Sequence, residues 1–239
     1  MNITFLVNYD LASLLALNYL IPSLGKHNLA IFYSRKNANT ANPKLSELSE
    51  FDSKKIDSIP QHCLGFKELN AEALNHINTS DYPRFASTEP DIVISIRHMT
   101  ILKSAVIETP NLATINLHSG HLPRYQGVMA TFWALRNQEQ DIGTSLHLIE
   151  DSSIDTGSII SKSSSLANYQ QSYLWNTLNV YKQGCENILL ALQSLELNKP
   201  IASQTQSGQA NYYSYPKIAD IEDCSVPLFN QSDGISSFL

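Results

Sequence analysis

An open, mostly parallel twisted α/β sheet with a long C-terminal helix and a small C-terminal appendage is the fold class this sequence predicts. Short apolar runs alternate with helix-like stretches through most of the 239 residues, the pattern of a sheet covered by helices. Pro90-Asp91 introduces Ile92-Val93-Ile94-Ser95-Ile96, whose β-branched side chains suit a buried parallel strand. Across residues 170–197 the apolar positions change to three- and four-residue spacing, the period of a helix face.

Residues 3–7 are the first apolar run, and residues 11–24 an amphipathic stretch. A second run, 29–33, precedes the polar Ser34-Arg35-Lys36-Asn37 and completes a strand–helix–strand unit. Residues 44–51 and 67–77 read as short helices, 113–117 as the strand after 92–96, and 130–136 as another short helix. Two strands, 144–149 and 158–163, flank the loop 150–157. Tyr173, Leu174, Thr177, Leu178, Tyr181, Cys185, Ile188, Leu189, Leu192 and Leu195 then share a face of one long helix, ended before Pro200. Residues 204–239 are polar with clustered aromatics and prolines, and read as extended structure and turns. The expected organisation is a Rossmann-like body, residues 1–200, and a small appendage, residues 201–239.

A hydrophobic content of 43% against 16% charged residues suffices for one sizeable core. The net charge of −6, with no Lys/Arg block, leaves no footprint for a phosphate backbone, so nucleic acid is not an expected partner. Cys63, Cys185 and Cys224 are an odd, scattered set with neither zinc spacing nor a disulfide framework. No stretch approaches the roughly 20 apolar residues that span a bilayer, and the N-terminus lacks a positive n-region. The cytoplasm is the expected compartment, without membrane insertion. No Gly-x-Gly-x-x-Gly occurs among the nine glycines, which removes the main argument for a nucleotide-cofactor oxidoreductase.

Ligands of such sheets bind outside the carboxyl ends of the strands, where 113–117 gives way to a loop. Period two puts Asn116 and His118 on one side there, so an amide donor and an imidazole can converge on one reacting carbon. The loop 150–157 offers Asp151 and Asp155, either of which could orient the imidazole. His118 and His121 lack the further ligands of a metal site, and no metal is expected.

Asn116-Leu117-His118-Ser119-Gly120-His121-Leu122-Pro123-Arg124-Tyr125-Gln126-Gly127 resembles the Asn-x-His…Leu-Pro-x-Tyr-x-Gly signature of the formyltransferase family. Six specified positions match by chance on the order of once in 10⁸ starting points. Asp151-Ser152-Ser153-Ile154-Asp155-Thr156-Gly157-Ser158-Ile159-Ile160 follows at the family's distance and resembles its Asp-x-Gly-x-Ile element. A softer match, Ile96-Arg97-His98-Met99-Thr100-Ile101-Leu102, resembles the loop whose backbone reads the pterin of a folate.

The resemblance implies transfer of a formyl group from 10-formyltetrahydrofolate to an amine, without a metal. By motif position Asn116 would stabilise the developing oxyanion, His118 would move the protons, and Asp155 would hold His118 in the useful tautomer. Met99, Thr100, Ile101, Leu102, Ile149 and Asp151 would bind the folate. Tyr125 and Gly127 would meet the acceptor, and Tyr212, Tyr213 and Tyr215 offer rings for a nucleobase or sugar, or a clasp for the tail.

Family members acting on methionyl-tRNA add a C-terminal barrel, whereas this acidic sequence stops at Leu239. Those acting on glycinamide ribonucleotide carry a glycine-rich first turn, absent from Val7-Asn8-Tyr9-Asp10-Leu11. The remaining expectation is a nucleotide-linked amino sugar, a dTDP-4-amino-4,6-dideoxyhexose such as dTDP-4-amino-4,6-dideoxyglucose, formylated for surface polysaccharide such as O-antigen. Another small amine, or folate and sugar-nucleotide binding without catalysis, are the alternatives. The broad apolar face of residues 170–197 is a candidate seam for a homodimer.

Overall fold

All five residues of the run at Ile92–Ile96 are buried, each Val or Ile side chain contributing about 1.5–3 kcal/mol by burial. The computed structural model describes residues 1–35 and 42–239 of the chain. In chain order, β1 (Asn2–Asn8), α1 (Leu11–Leu20) and β2 (Asn28–Ser34) form the first strand–helix–strand unit. Then come α2 (Pro43–Asp57), the short β3 (Glu72–Ala73), α3 (Tyr82–Ala86), β4 (Ile92–Ile96), α4 (Ser104–Ile107) and β5 (Ala113–His118). A loop carries β6 (Gln126–Gly127) into α5 (Ala130–Arg136), followed by β7 (Asp141–Leu148), β8 (Ile159–Leu166), α6 (Tyr173–Asn179) and α7 (Tyr181–Glu196). β9 (Tyr212–Tyr213) and α8 (Ile218–Glu222) lie in the tail.

The main sheet has seven strands in the order β3-β2-β1-β4-β5-β7-β8. Pairing is parallel from β3 through β5 and antiparallel for β5–β7 and β7–β8. This is the expected open, mostly parallel Rossmann-like sheet. Strand order reverses between β1 and β4, which opens a crevice at their carboxyl ends. A second, two-stranded sheet pairs β6 with β9.

Four local expectations are corrected. The helix in residues 11–24 is not amphipathic: α1 is buried nearly all round, since it packs on the sheet while α7, α6 and the 3₁₀ turn Ile235–Ser237 also cover it. It stops at Leu20, where Pro22 enters a 3₁₀ turn. The second helix runs beyond residue 51 to Asp57, and the Asn42 side chain caps it by accepting from the Lys44 N–H at 3.2 Å. Of the polar loop at 34–37, Lys36 and Asn37 lie outside the described residues.

No helix forms over residues 67–77. Asn70 takes a left-handed φ of 51°, and Glu72 and Ala73 pair with Phe32 and Tyr33 as β3. The buried Leu69 serves the main core, whereas Leu74 and Ile77 serve a second cluster with Phe85 and Val93. Apolar residues that must reach two cores cannot share one helical stripe.

The long helix expected over 170–197 is two helices meeting at Val180. Tyr173 packs with Phe132 and Leu135, while Leu178, Tyr181, Cys185, Ile188 and Leu192 join the main core, so the apolar stripe changes direction at the junction. Ser172 caps α6 by accepting from the Trp175 N–H at 2.9 Å.

The tail folds back along the body. Gln204 bridges to Ile159 on β8, Phe229 stacks on Phe51 with ring centroids 4.5 Å apart, Ile235 is buried in the main core, and the Tyr19 hydroxyl donates to the Phe238 carbonyl. The bridge at Gln204 also covers part of the edge of β8, which would otherwise offer unpaired backbone groups.

Candidate active site

Asn116 and His118 end β5, and the antiparallel register sets Asn116 opposite His147 on β7. The Asn116 amide nitrogen lies 3.0 Å from His147 Nε2, and His147 Nδ1 lies 2.8 Å from the Leu148 carbonyl. A carbonyl only accepts, so Nδ1 carries the proton and Nε2 of the neutral ring receives one amide hydrogen of Asn116. Among the described residues no acceptor takes the second amide hydrogen of Asn116.

Asp155 lies between two imidazoles. Its Oδ2 is 3.4 Å from His118 Nδ1 and its Oδ1 is 3.5 Å from His147 Nε2. The Gly127 N–H donates to Oδ2 at 2.8 Å. Burial pushes the carboxyl up, but the charges of His118 and His147 when protonated, with the Gly127 N–H, outweigh it and hold Asp155 down at about 2. It is therefore a fixed negative charge at any working pH.

His118 is buried, and its Nε2 lies 2.6 Å from the Tyr125 carbonyl. That carbonyl requires a proton on Nε2, which leaves the Nδ1 lone pair facing Asp155. The carbonyl of Tyr125 thus selects the tautomer, a task expected of Asp155; the carboxylate is placed to stabilise an imidazolium after Nδ1 takes a proton.

These groups line one cavity of about 680 Å³ that runs along the carboxyl ends of β1, β4 and β5. The expected folate residues Met99, Thr100, Ile101, Leu102, Ile149 and Asp151 line it, as do Gly127, Tyr212 and Tyr215. His98 lines it too, with Nδ1 3.3 Å from the Val7 carbonyl. Tyr125 and Tyr213 do not. Tyr125 is buried, donates its hydroxyl to Glu139 at 2.6 Å, and is pushed up to about 12 by burial and that carboxylate. Tyr213 stacks between Tyr125 and Trp133, at 5.4 and 5.0 Å. Both rings pin the tail.

Gly127 is required by the same seam. Its φ is +94°, and a Cβ there would lie 2.1 Å from the Tyr213 carbonyl oxygen. We expect Gly127→Ala to separate β6 from β9 and cost about 2–4 kcal/mol, read as a melting temperature lower by about 5–10 °C; an unchanged transition would contradict this packing.

Sequence reasoning missed several cavity residues. His147 sits on a correctly read strand, but its pairing with Asn116 depends on an antiparallel register that no local motif encodes. Arg97 Nε donates to Asp10 Oδ2 at 2.7 Å inside the cavity wall. Burial raises the Asp10 carboxyl, but Arg97 outweighs it and holds Asp10 below the ordinary range. Burial, then the Asp10 charge, push Asp52 up to about 8. At the mouth, the Arg35 guanidinium lies 4.2 Å over the Tyr9 ring. Among the described residues no cluster of His, Cys, Asp and Glu has metal-site geometry.

Residues 42–174, more than half of the chain, match the family described as Formyl transferase. The bifunctional polymyxin resistance protein ArnA of Wigglesworthia glossinidia brevipalpis is 34% identical over 117 residues, 49% of this chain and 17% of that protein. GDP-perosamine N-formyltransferase of Brucella melitensis is 24% identical over 140 residues, 57% of this chain and 52% of the relative. Methionyl-tRNA formyltransferases, at 25–32% identity, are relatives too. The chain spans about half the length of these curated relatives or less. Among solved structures, the Helicobacter canadensis N-formyltransferase in complex with folinic acid and dTDP-3-aminofucose superposes with a TM-score of 0.60 at 17% identity, over 92% of this chain and 72% of that one. At that identity the likeness is one of fold.

Proposed function

This chain belongs to the formyl transferase family, and we propose that it moves a formyl group from 10-formyltetrahydrofolate to the amino group of a nucleotide-linked amino sugar. The observation that carries the reading is the Asp155 carboxylate within 3.5 Å of both His118 and His147, at the mouth of the β5 strand. In this reading Met99, Thr100, Ile101, Leu102, Ile149 and Asp151 form the folate wall. The exposed side chain of Ile101 and the buried one of Leu102 supply an apolar surface suited to a flat ring.

10-Formyltetrahydrofolate supplies the formyl group and departs as tetrahydrofolate. The free amide hydrogen of Asn116 binds the formyl oxygen as the acceptor amine adds to the carbon and negative charge develops. His118 Nδ1 takes the proton the amine loses, and Asp155 stabilises the imidazolium. As the carbon–nitrogen bond to the folate breaks, the same proton is delivered to the departing nitrogen. His147, anchored on the Leu148 carbonyl, orients the Asn116 amide.

The acceptor we assign is a dTDP-4-amino-4,6-dideoxyhexose such as dTDP-4-amino-4,6-dideoxyglucose, formylated in the cytoplasm for surface polysaccharide such as O-antigen. Tyr212 and Tyr215 in the cavity support a ring-binding end, and Arg35, with no ion-pair partner among the described residues, is a cation suited to a diphosphate. The body would be residues 1–200 and the tail residues 201–239. A homodimer would need a seam other than the apolar face of α7, which is turned to the core, leaving Leu190 and Leu197 outside. Among the described residues no helix is long and apolar enough to cross a membrane.

Assay of dTDP- and GDP-linked 4-amino sugars, glycinamide ribonucleotide and methionyl-tRNA with 10-formyltetrahydrofolate tests the reading. Turnover confined to a dTDP-amino sugar is the expected result; preferred turnover of tRNA or glycinamide ribonucleotide would overturn the sugar assignment.

A further inference from the structure

We propose that the tail is part of the catalytic apparatus, with Gln206 as the positioning residue that sets the loop carrying Asp155; this rests on the role given to Asp155 above. Gln206 Nε2 donates to the Asp155 and Gly157 carbonyls, each at 2.8 Å. Its flanking residues, 202–205 and 207–210, are exposed, while Gln206 is half-buried. Both neighbours of the amide are carbonyls, which only accept, so the nitrogen must face them. The amide oxygen is then buried with no partner among the described residues. A surface glutamine would turn that oxygen to water; this one keeps its nitrogen on the loop.

The backbone fixes the approach. Gln204 and Ile159 exchange two N–H···O bonds of 2.8 and 2.9 Å, and Gln206, two residues on, projects to the same side as Gln204 where the chain is extended. From the other flank, Gln126 and Val128 donate their N–H groups to the Asn211 and Tyr213 carbonyls at 3.0 and 2.9 Å. These bonds hold Gly127, whose N–H meets the Asp155 carboxylate. One tail segment therefore grips both sides of the catalytic loop.

Asp155 needs that grip. Its φ is +56°, the left-handed region that Asp enters more readily than most side chains but that the loop must still hold in place. Its carbonyl accepts from Gln206 and, at 3.2 Å, from Gln126 Nε2. Rotation of this peptide would swing the carboxylate away from His118 and His147 together.

The test compares Gln206→Glu, isosteric but unable to donate, and Gln206→Met, isosteric and apolar, with Gln193→Glu on the exposed side of α7 as control. We expect kcat to fall about tenfold to a hundredfold in both Gln206 variants, the cost of a misplaced catalytic group. KM for the acceptor should change by less than about twofold, and the ¹⁵N imidazole resonances of His118 and His147 should shift; the control should match the wild type. Wild-type kcat and unshifted imidazole signals, or a loss that appears only as a lower melting temperature and higher KM, would overturn the proposal. Asp155→Asn is assayed alongside. If it is slow while Gln206→Glu is not, the proposal alone falls; if it keeps wild-type turnover, the role of Asp155 falls and the proposal with it.

Discussion

Replacing His118 with Ala is expected to lower kcat for formyl transfer by about 10³-fold, within the range for a general acid–base group. Folate affinity should stay within about twofold, because His118 meets the reacting atoms and not the ring-binding wall. The size of the effect follows from the two contacts of the imidazole. The Tyr125 carbonyl at 2.6 Å fixes the proton on Nε2, so Nδ1 is the base, and Asp155 at 3.4 Å favours the charged ring once Nδ1 is protonated. Alanine removes the proton carrier and leaves Asp155 with one imidazole. A single-turnover rate in His118→Ala equal to that of the wild type would show that the proton moves elsewhere.

Asp155→Asn is the second large change. The carboxamide must keep an acceptor for the Gly127 N–H, which places its oxygen where Oδ2 now lies and its nitrogen toward His147 Nε2. There it competes with Asn116 for the His147 lone pair, and the imidazolium of His118 loses its counter-charge. We expect kcat to fall by about 10²–10⁴-fold, with an upper bound near the roughly 10⁴-fold loss known for a carboxylate-to-amide change behind a catalytic histidine. Stability changes with a definite sign. The carboxyl is held at about 2 in the fold against an ordinary value of 3.8, so its contribution is complete above the unfolded value and is lost as pH falls through about 2. Relative to Asp155→Asn, the wild type should therefore lose about 2 kcal/mol of its advantage between pH 5 and pH 2, measured by urea unfolding at each pH. A constant difference across that range would remove the ion pairing from the account.

The sheet was legible because its strands announce themselves locally: Ile92–Ile96 is a β-branched run, and the antiparallel pair β7 and β8 flanks a loop rich in turn residues. Helix boundaries were less legible where one stretch serves two cores. Residues 67–77 and the junction at Val180 both fail the single-stripe reading, since the direction in which an apolar side chain must point is set by elements distant in sequence.

The site divides in the same way. Asn116, His118 and Asp155 lie within two short motifs, and the structure brings all three to one cavity. His147 was invisible because a strand pairing selects it. Tyr125 was expected to meet the acceptor, yet it is its carbonyl that faces the imidazole, and no side-chain motif reports where a backbone oxygen points. Gln206 sits in a polar run that reads as solvent-exposed, and only the path of the tail gives it a partner. Arg97 and Asp10, 87 residues apart, meet because β1 and β4 are neighbours in the sheet.

The most direct test of formyl transfer through His118 and Asp155 is the mass of the acceptor after incubation of dTDP-4-amino-4,6-dideoxyglucose with 10-formyltetrahydrofolate and either wild-type or His118→Ala protein. A single formyl group on the amine with the wild type, and transfer about 10³-fold slower with a variant that still binds folate, is the predicted result. An unmodified acceptor despite bound folate, or equal formylation by both proteins, would contradict it.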